Sequence, residues 1–165
     1  MTGRVASINT SSGGVPKRRR REARITAAGV EGDRQRFSFH GGADRAVVLY
    51  AVEVIEALQL EGHPIDVGTT GENLTLTGVD WTSIVPGTEL QIGGVRLLVT
   101  KYASPCDQIR PSFLDGDVVW ISQKRHPGAS RVCARVLNEG IVHVGDSVEI
   151  GAVAARPRSA SQGRS

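Results

Sequence analysis

The chain has 165 residues, 39% of them hydrophobic and 22% charged, with a formal charge of +3. That length carries one domain with a sizeable core and is too short for two ordinary domains and a linker. Two cysteines are too few for a disulfide framework, and no apolar run approaches the roughly 20 residues that cross a bilayer. A disulfide-stapled secreted scaffold and a helical membrane span are therefore excluded.

The opening "MTGRVASIN" lacks an apolar signal core, so the expected compartment is the cytoplasm. Within it "RVASIN" predicts a short strand, and "TSSGGVPK" a loop. The basic run Lys17 to Arg21 follows at the loop's exit. Without interleaved aromatics or a nucleic-acid motif, this run reads as a solvated loop rather than a nucleic-acid surface. "ARITAAGVEGDRQ" predicts a strand ending in a glycine turn, and "RFSFHGGADR" a polar loop. In "AVVLYAVEVIEALQLEG" the opening valines and Tyr50 favour a strand. Glu53, Glu56 and Gln59 then recur opposite Val54, Ile55 and Leu58, so the strand runs into a helix that stops at Gly62 and Pro64.

"GENLTLTG" alternates Leu74 and Leu76 with threonines, which predicts another strand. "TELQIGGVRLLVTKY" is a hairpin with Gly93 and Gly94 at its tip, and "GDSVEIG" a last strand. With 20 glycines, 7 prolines, about six or more short strands and up to about two helices, the fold class is mainly β with a few helices, an α+β chain built on a β-barrel or closed sandwich. The domain is expected over residues 1–150. "ARPRSASQGRS" has no apolar anchor, so residues 151–165 are expected to be a disordered basic tail.

Cys106, in "YASPCDQIR", sits in a polar loop directly after an apolar stretch. A thiolate there is a candidate nucleophile, redox group or soft metal ligand, against the alternative of an inert cysteine at a strand end. Lys101 and Arg110 would favour the thiolate if they folded beside it, and Asp107 would oppose it. Cys133, in the apolar segment "SRVCARVL", reads as core packing. No Cys-x-x-Cys or His-x-x-x-His pair exists for structural zinc, and neither a Walker-type nor a dinucleotide glycine pattern is present. Further candidates are His40, Asp44 and Arg45 around two glycines in "FHGGADR". Glu72 and Asn73 in "GENL" either hydrogen-bond a polar heterocycle or cap a turn.

In this order, "GGVPK", "GVEGDRQ", "HGGADRAVVLY", "GENLTL", "PGTELQIGGVRLLVT", "SPC", "RVLNEG" and "VGD" resemble the MOSC domain, the C-terminal domain of molybdenum cofactor sulfurase. The resemblance runs from about Val5 to Glu149. It implies a strand-rich barrel and an association with molybdenum cofactor, a pterin-dithiolene carrying a phosphate. The family's hallmark cysteine matches Cys106. That position implies either a thiolate ligand to molybdenum or a persulfide that carries sulfur. Lys17, Arg34, His40 and Arg45 would then neutralise the phosphate, while Asp44, Glu72 and Asn73 complete the cofactor-binding set, the last two on the pterin edge.

The activity this implies is reduction of small N-hydroxylated or N-oxide substrates. The chain lacks the cysteines of an iron–sulfur centre and resembles no pyridoxal-phosphate domain. Electrons would come from a flavin or iron–sulfur partner, and sulfur from a cysteine desulfurase or sulfurase. The alternative is a carrier of sulfur or cofactor that catalyses nothing itself.

Overall fold

The computed structural model describes residues 3–34 and 43–153. Eleven strands follow one another as β1 (Gly3–Thr10), β2 (Arg18–Arg20), β3 (Glu22–Thr26), β4 (Gly29–Val30), β5 (Val47–Ala51), β6 (Leu74–Thr77), β7 (Thr88–Ile92), β8 (Val95–Tyr102), β9 (Val132–Asn138), β10 (Gly140–His143) and β11 (Ser147–Val153). One α-helix, α1 (Val52–Leu60), joins β5 to β6. The main sheet runs β11-β7-β8-β9-β5-β6-β1-β2. Because β11 also pairs with β1, the seven strands from β11 to β1 close into a barrel, with β2 attached at the rim. Closure removes the exposed edges that an open sheet of this size would carry.

Alternation builds the barrel interior. In β7 and β8 the inward positions Leu90, Ile92, Val95, Leu97 and Val99 are buried. The hairpin between them turns on Gly93, whose φ of 56° lies in the left-handed region. A Cβ there would sit 2.6 Å from Asp146 Oδ2, so the turn tolerates only glycine without rearrangement. Strand β5 is buried along its whole length. Its parallel pairing with β6, the exception in an otherwise antiparallel barrel, requires a crossover, and α1 supplies it with Ile55 and Leu58 turned inward. The second sheet, β10-β3-β4, seals one side with Ile25 and Val142.

The predicted hairpin, the strand-to-helix passage and the barrel all form. One expectation is corrected. The run after Lys17 is not loop: Arg18, Arg19 and Arg20 form β2, paired with Thr10, Asn9 and Ile8 of β1. All three side chains are exposed, so backbone pairing alone makes the strand and no apolar alternation announces it. Strand β11 continues through Val153, past the expected domain boundary, and residues 154–165 of the expected tail lie outside the described residues. Among the described residues no helix is long and apolar enough to cross a membrane.

Candidate functional site

Where β8 ends, the chain leaves the barrel as Ala103-Ser104-Pro105-Cys106 and enters a short 3-10 turn over Asp107–Ser112. Buried Ile109 anchors this segment, and Ser112 Oγ donates to Thr69 Oγ1 at 2.9 Å, tying it to the loop before β6. Cys106 itself is exposed. It faces a cleft of about 210 Å³ whose wall includes Lys17, Arg34, Arg45 and Arg131, together with Thr70 and Gly71. Among the described residues no carboxylate lines the cleft.

Four of the sequence candidates therefore meet in one place: Cys106, Lys17, Arg34 and Arg45. Lys17 is not a free cation, however. Its Nζ donates to both oxygens of Asp33, at 2.7 and 2.6 Å, and both side chains are only 6% exposed. The acid is further held by the backbone N–H of Ser11 at 3.0 Å and by Asn73 Nδ2 at 2.9 Å.

Glu72 and Asn73 stand behind the wall, fully buried, rather than in it. Glu72 accepts from the Gly68 N–H, Thr70 Oγ1 and Thr75 Oγ1, and burial pushes its carboxyl above the ordinary range in spite of these donors. Asn73 Oδ1 accepts from the Val48 N–H. Both residues brace the cleft from within, and neither presents a polar edge to a ligand. Asp44 is turned to the surface, where it accepts two hydrogen bonds from Arg135 at 2.9 and 2.6 Å. His40 lies outside the described residues.

The neighbours expected to tune Cys106 are also displaced. Lys101 is exposed on β8, Arg110 donates to the Gly116 carbonyl at 3.1 Å, and none of Lys101, Asp107 and Arg110 lines the cleft. The cation that does reach the Cys106 segment is Arg131, which sequence reasoning missed. Pairing of β8 with β9 continues one step past Tyr102, through the Ala103 N–H to the Arg131 carbonyl at 2.9 Å. That step sets Arg131 beside Ser104. Its guanidinium donates to the Thr70 carbonyl at 2.6 Å and the Ser104 carbonyl at 3.2 Å, bridging two walls of the cleft. Arg131 stands one residue before β9, and nothing in "SRVCARVL" itself marks it as a neighbour of Cys106.

Cys133 packs with Val48 and Ala103 in a small apolar cluster of its own, and those two neighbours line the cleft floor. Burial pushes its thiol up, against the pull of Arg45, Arg131 and Lys101. A buried, apolar-packed thiol is held in its neutral form, as the packing reading expects.

Cys106 is one soft donor, and among the described residues no cluster of three His, Cys, Asp or Glu side chains assembles around a metal position. A metal on Cys106 would thus bring most of its ligands with it. The anionic dithiolene of molybdenum cofactor meets that requirement, and a cleft lined by cations suits its charge.

The fold and cleft define a small barrel protein with an exposed thiol over a basic cleft. Sequence comparison gives the family: the MOSC domain matches residues 36–149, and the chain belongs to the MOSC domain family. A protein named "Reductase" from Gibberella moniliformis is 29% identical over 133 residues, covering 76% of this chain and 23% of that protein. The Bacillus subtilis protein YflK, described as uncharacterized, is 27% identical over 112 residues, 67% of this chain and 50% of its own. The chain thus spans half or less of the length of these relatives. Among solved structures, the YuaD protein of Bacillus subtilis superposes with a TM-score of 0.73 at 19% identity, over 91% of this chain and 96% of its own, which shows the shared fold.

Proposed function

We propose that this MOSC protein holds molybdenum cofactor in the cleft through the Cys106 thiolate and reduces small N-hydroxylated or N-oxide compounds with electrons from an external donor. The observation that carries the reading is the exposed Cys106 thiol facing a cleft lined by cations and, among the described residues, by no carboxylate. When bound, the cofactor supplies two-electron oxygen-atom transfer, so that an N–OH or N-oxide substrate leaves as the amine and water.

The chain's own contribution is positional and electrostatic. Cys106 offers its sulfur from a short turn fixed by Ile109 and by the Ser112–Thr69 hydrogen bond, so the donor is held without being enclosed. Arg34, Arg45 and Arg131 favour anionic groups in the cleft. The printed name of the Gibberella moniliformis relative supports a reductase, and it extends to this chain only as part of the proposal.

Electrons are assigned to a flavin or iron–sulfur protein. The exposed arginines of β2, one residue beyond Lys17 of the cleft wall, offer such a donor a basic surface.

The test is turnover. Protein from a host that makes molybdenum cofactor, supplied with a chemically reduced viologen, is expected to convert an N-hydroxylated amidine to the amidine, and Cys106→Ser to lose that turnover. A persulfide on Cys106 by mass spectrometry, without pterin or turnover, overturns the reductase in favour of a sulfur carrier, which the exposure of Cys106 would serve equally.

A further inference from the structure

Residues 104–112, which carry Cys106, are fastened at both ends to one loop, residues 68–70. At the far end Ser112 Oγ donates to Thr69 Oγ1 at 2.9 Å. At the near end the fastening runs through Arg131, whose guanidinium donates from one nitrogen to the Thr70 carbonyl at 2.6 Å and from the other to the Ser104 carbonyl at 3.2 Å. Ser104 stands two residues before Cys106. The loop itself is set from within the wall. Glu72 accepts from the Gly68 N–H at 2.8 Å and from the Thr70 hydroxyl at 2.9 Å, while the Gly68 carbonyl accepts from the Lys17 N–H at 3.0 Å. Thr70 is therefore gripped twice, through its hydroxyl by Glu72 and through its carbonyl by Arg131.

Arg131 is itself held in place. It is 6% exposed, and burial works against its charge, while Tyr50 and Glu72 inside the wall favour it. Tyr50 also donates from its hydroxyl to the Ala129 carbonyl at 2.6 Å, fixing the backbone two residues before Arg131. With an acid behind it and a carbonyl at each end, the planar guanidinium fork holds the Thr70 and Ser104 carbonyls at a set spacing.

We infer that Arg131 is a positioning residue for Cys106: it sets how far the Ser104–Cys106 backbone stands from the Thr70 loop, and so where the sulfur is presented in the cleft, with Glu72 bracing the loop from behind. The inference rests on Cys106 being the functional donor, as proposed above. Its test needs no cofactor, so its failure leaves that reading to be decided separately by molybdenum and pterin content.

The test uses the full chain free of metal and pterin, with a nitroxide attached to Cys106 as a mixed disulfide by a methanethiosulfonate reagent; Cys133 is buried and does not compete. Electron paramagnetic resonance then reads motion on the nanosecond scale of loops. Arg131→Met removes both donors and is expected to shorten the correlation time of the Cys106 label several-fold. The same label on Glu149→Cys in a Cys106→Ser background, exposed on β11, which pairs with β7 and β1 only, is expected to keep its line shape when Arg131→Met is added. Should Arg131→Met not fold, Arg131→Lys keeps the cation without the fork that spans both carbonyls, and is expected to mobilise the Cys106 label in the same way.

A Cys106 line shape in Arg131→Met equal to wild type would overturn the assignment. So would equal narrowing at Cys106 and at Glu149→Cys, which is general loosening rather than positioning. Where Arg131→Lys stands in, a wild-type line shape at Cys106 overturns it.

Discussion

Lys17→Met removes one half of a buried ion pair and leaves the other behind. Asp33 accepts four hydrogen bonds, two from Lys17, one from Ser11 and one from Asn73, and its side chain is 6% exposed. Without Lys17 it keeps only the last two and has no cation among its hydrogen-bond partners. Breaking a buried pair from one side costs about 3–5 kcal/mol, because the surviving charge stays desolvated. For a chain of this length each kcal/mol moves Tm by about 2–4 °C, so the variant should melt roughly 6–20 °C below wild type. Adding Asp33→Asn removes the stranded charge and should recover about half of the loss or more. Differential scanning calorimetry of the three proteins decides the matter. A Lys17→Met midpoint within 2 °C or so of wild type would refute the claim that this lysine is a structural ion-pair partner.

Other outcomes follow from the same structure. Burial raises the Glu72 carboxyl above its unfolded value, so its contribution is complete below the unfolded pKa and is lost as pH rises through the folded one; Glu72→Gln should flatten that alkaline-side decline in denaturant titrations across pH, and an unchanged profile would contradict it. Gly93→Ala places a Cβ 2.6 Å from Asp146 Oδ2 at a φ of 56°, which should cost about 1–3 kcal/mol in urea unfolding. Replacing Arg18, Arg19 and Arg20 of the exposed strand β2 with Glu should leave Tm within about 2 °C while reducing turnover driven by an acidic donor protein several-fold, with viologen-driven turnover unchanged; equal loss with both donors would contradict a docking role.

The legible parts of the fold are those where side-chain pattern and local backbone chemistry agree. The hairpin of β7 and β8 could be read because apolar residues recurring at every second position flank two glycines, one of which the turn requires at positive φ. Strand β2 could not, since three successive exposed arginines carry no alternation and the strand exists only through its pairing with β1. At the site, Cys106 was legible from a thiol set among polar residues at a strand end. Arg131 was not, because it reaches the Cys106 segment only through the register of β8 on β9. Glu72 and Asn73 show the converse failure. An acid and an amide beside a glycine look like ligand contacts, yet Asn73 is tied to Asp33 and to the strand β1 backbone at Asn9, distant in sequence, and the Glu72 carboxyl is occupied by its near neighbours Gly68, Thr70 and Thr75. For Asn73, the side of the wall it faces is fixed by long-range pairing that local sequence does not encode.

The central claim is that the Cys106 sulfur holds molybdenum cofactor in the basic cleft. Its most direct measurement is molybdenum and pterin per chain in wild type and Cys106→Ser, both purified from a host that makes the cofactor. The account predicts near-stoichiometric molybdenum and pterin in the wild-type protein, and molybdenum severalfold lower in the variant. Molybdenum equal in the two proteins, or absent from both, would contradict it.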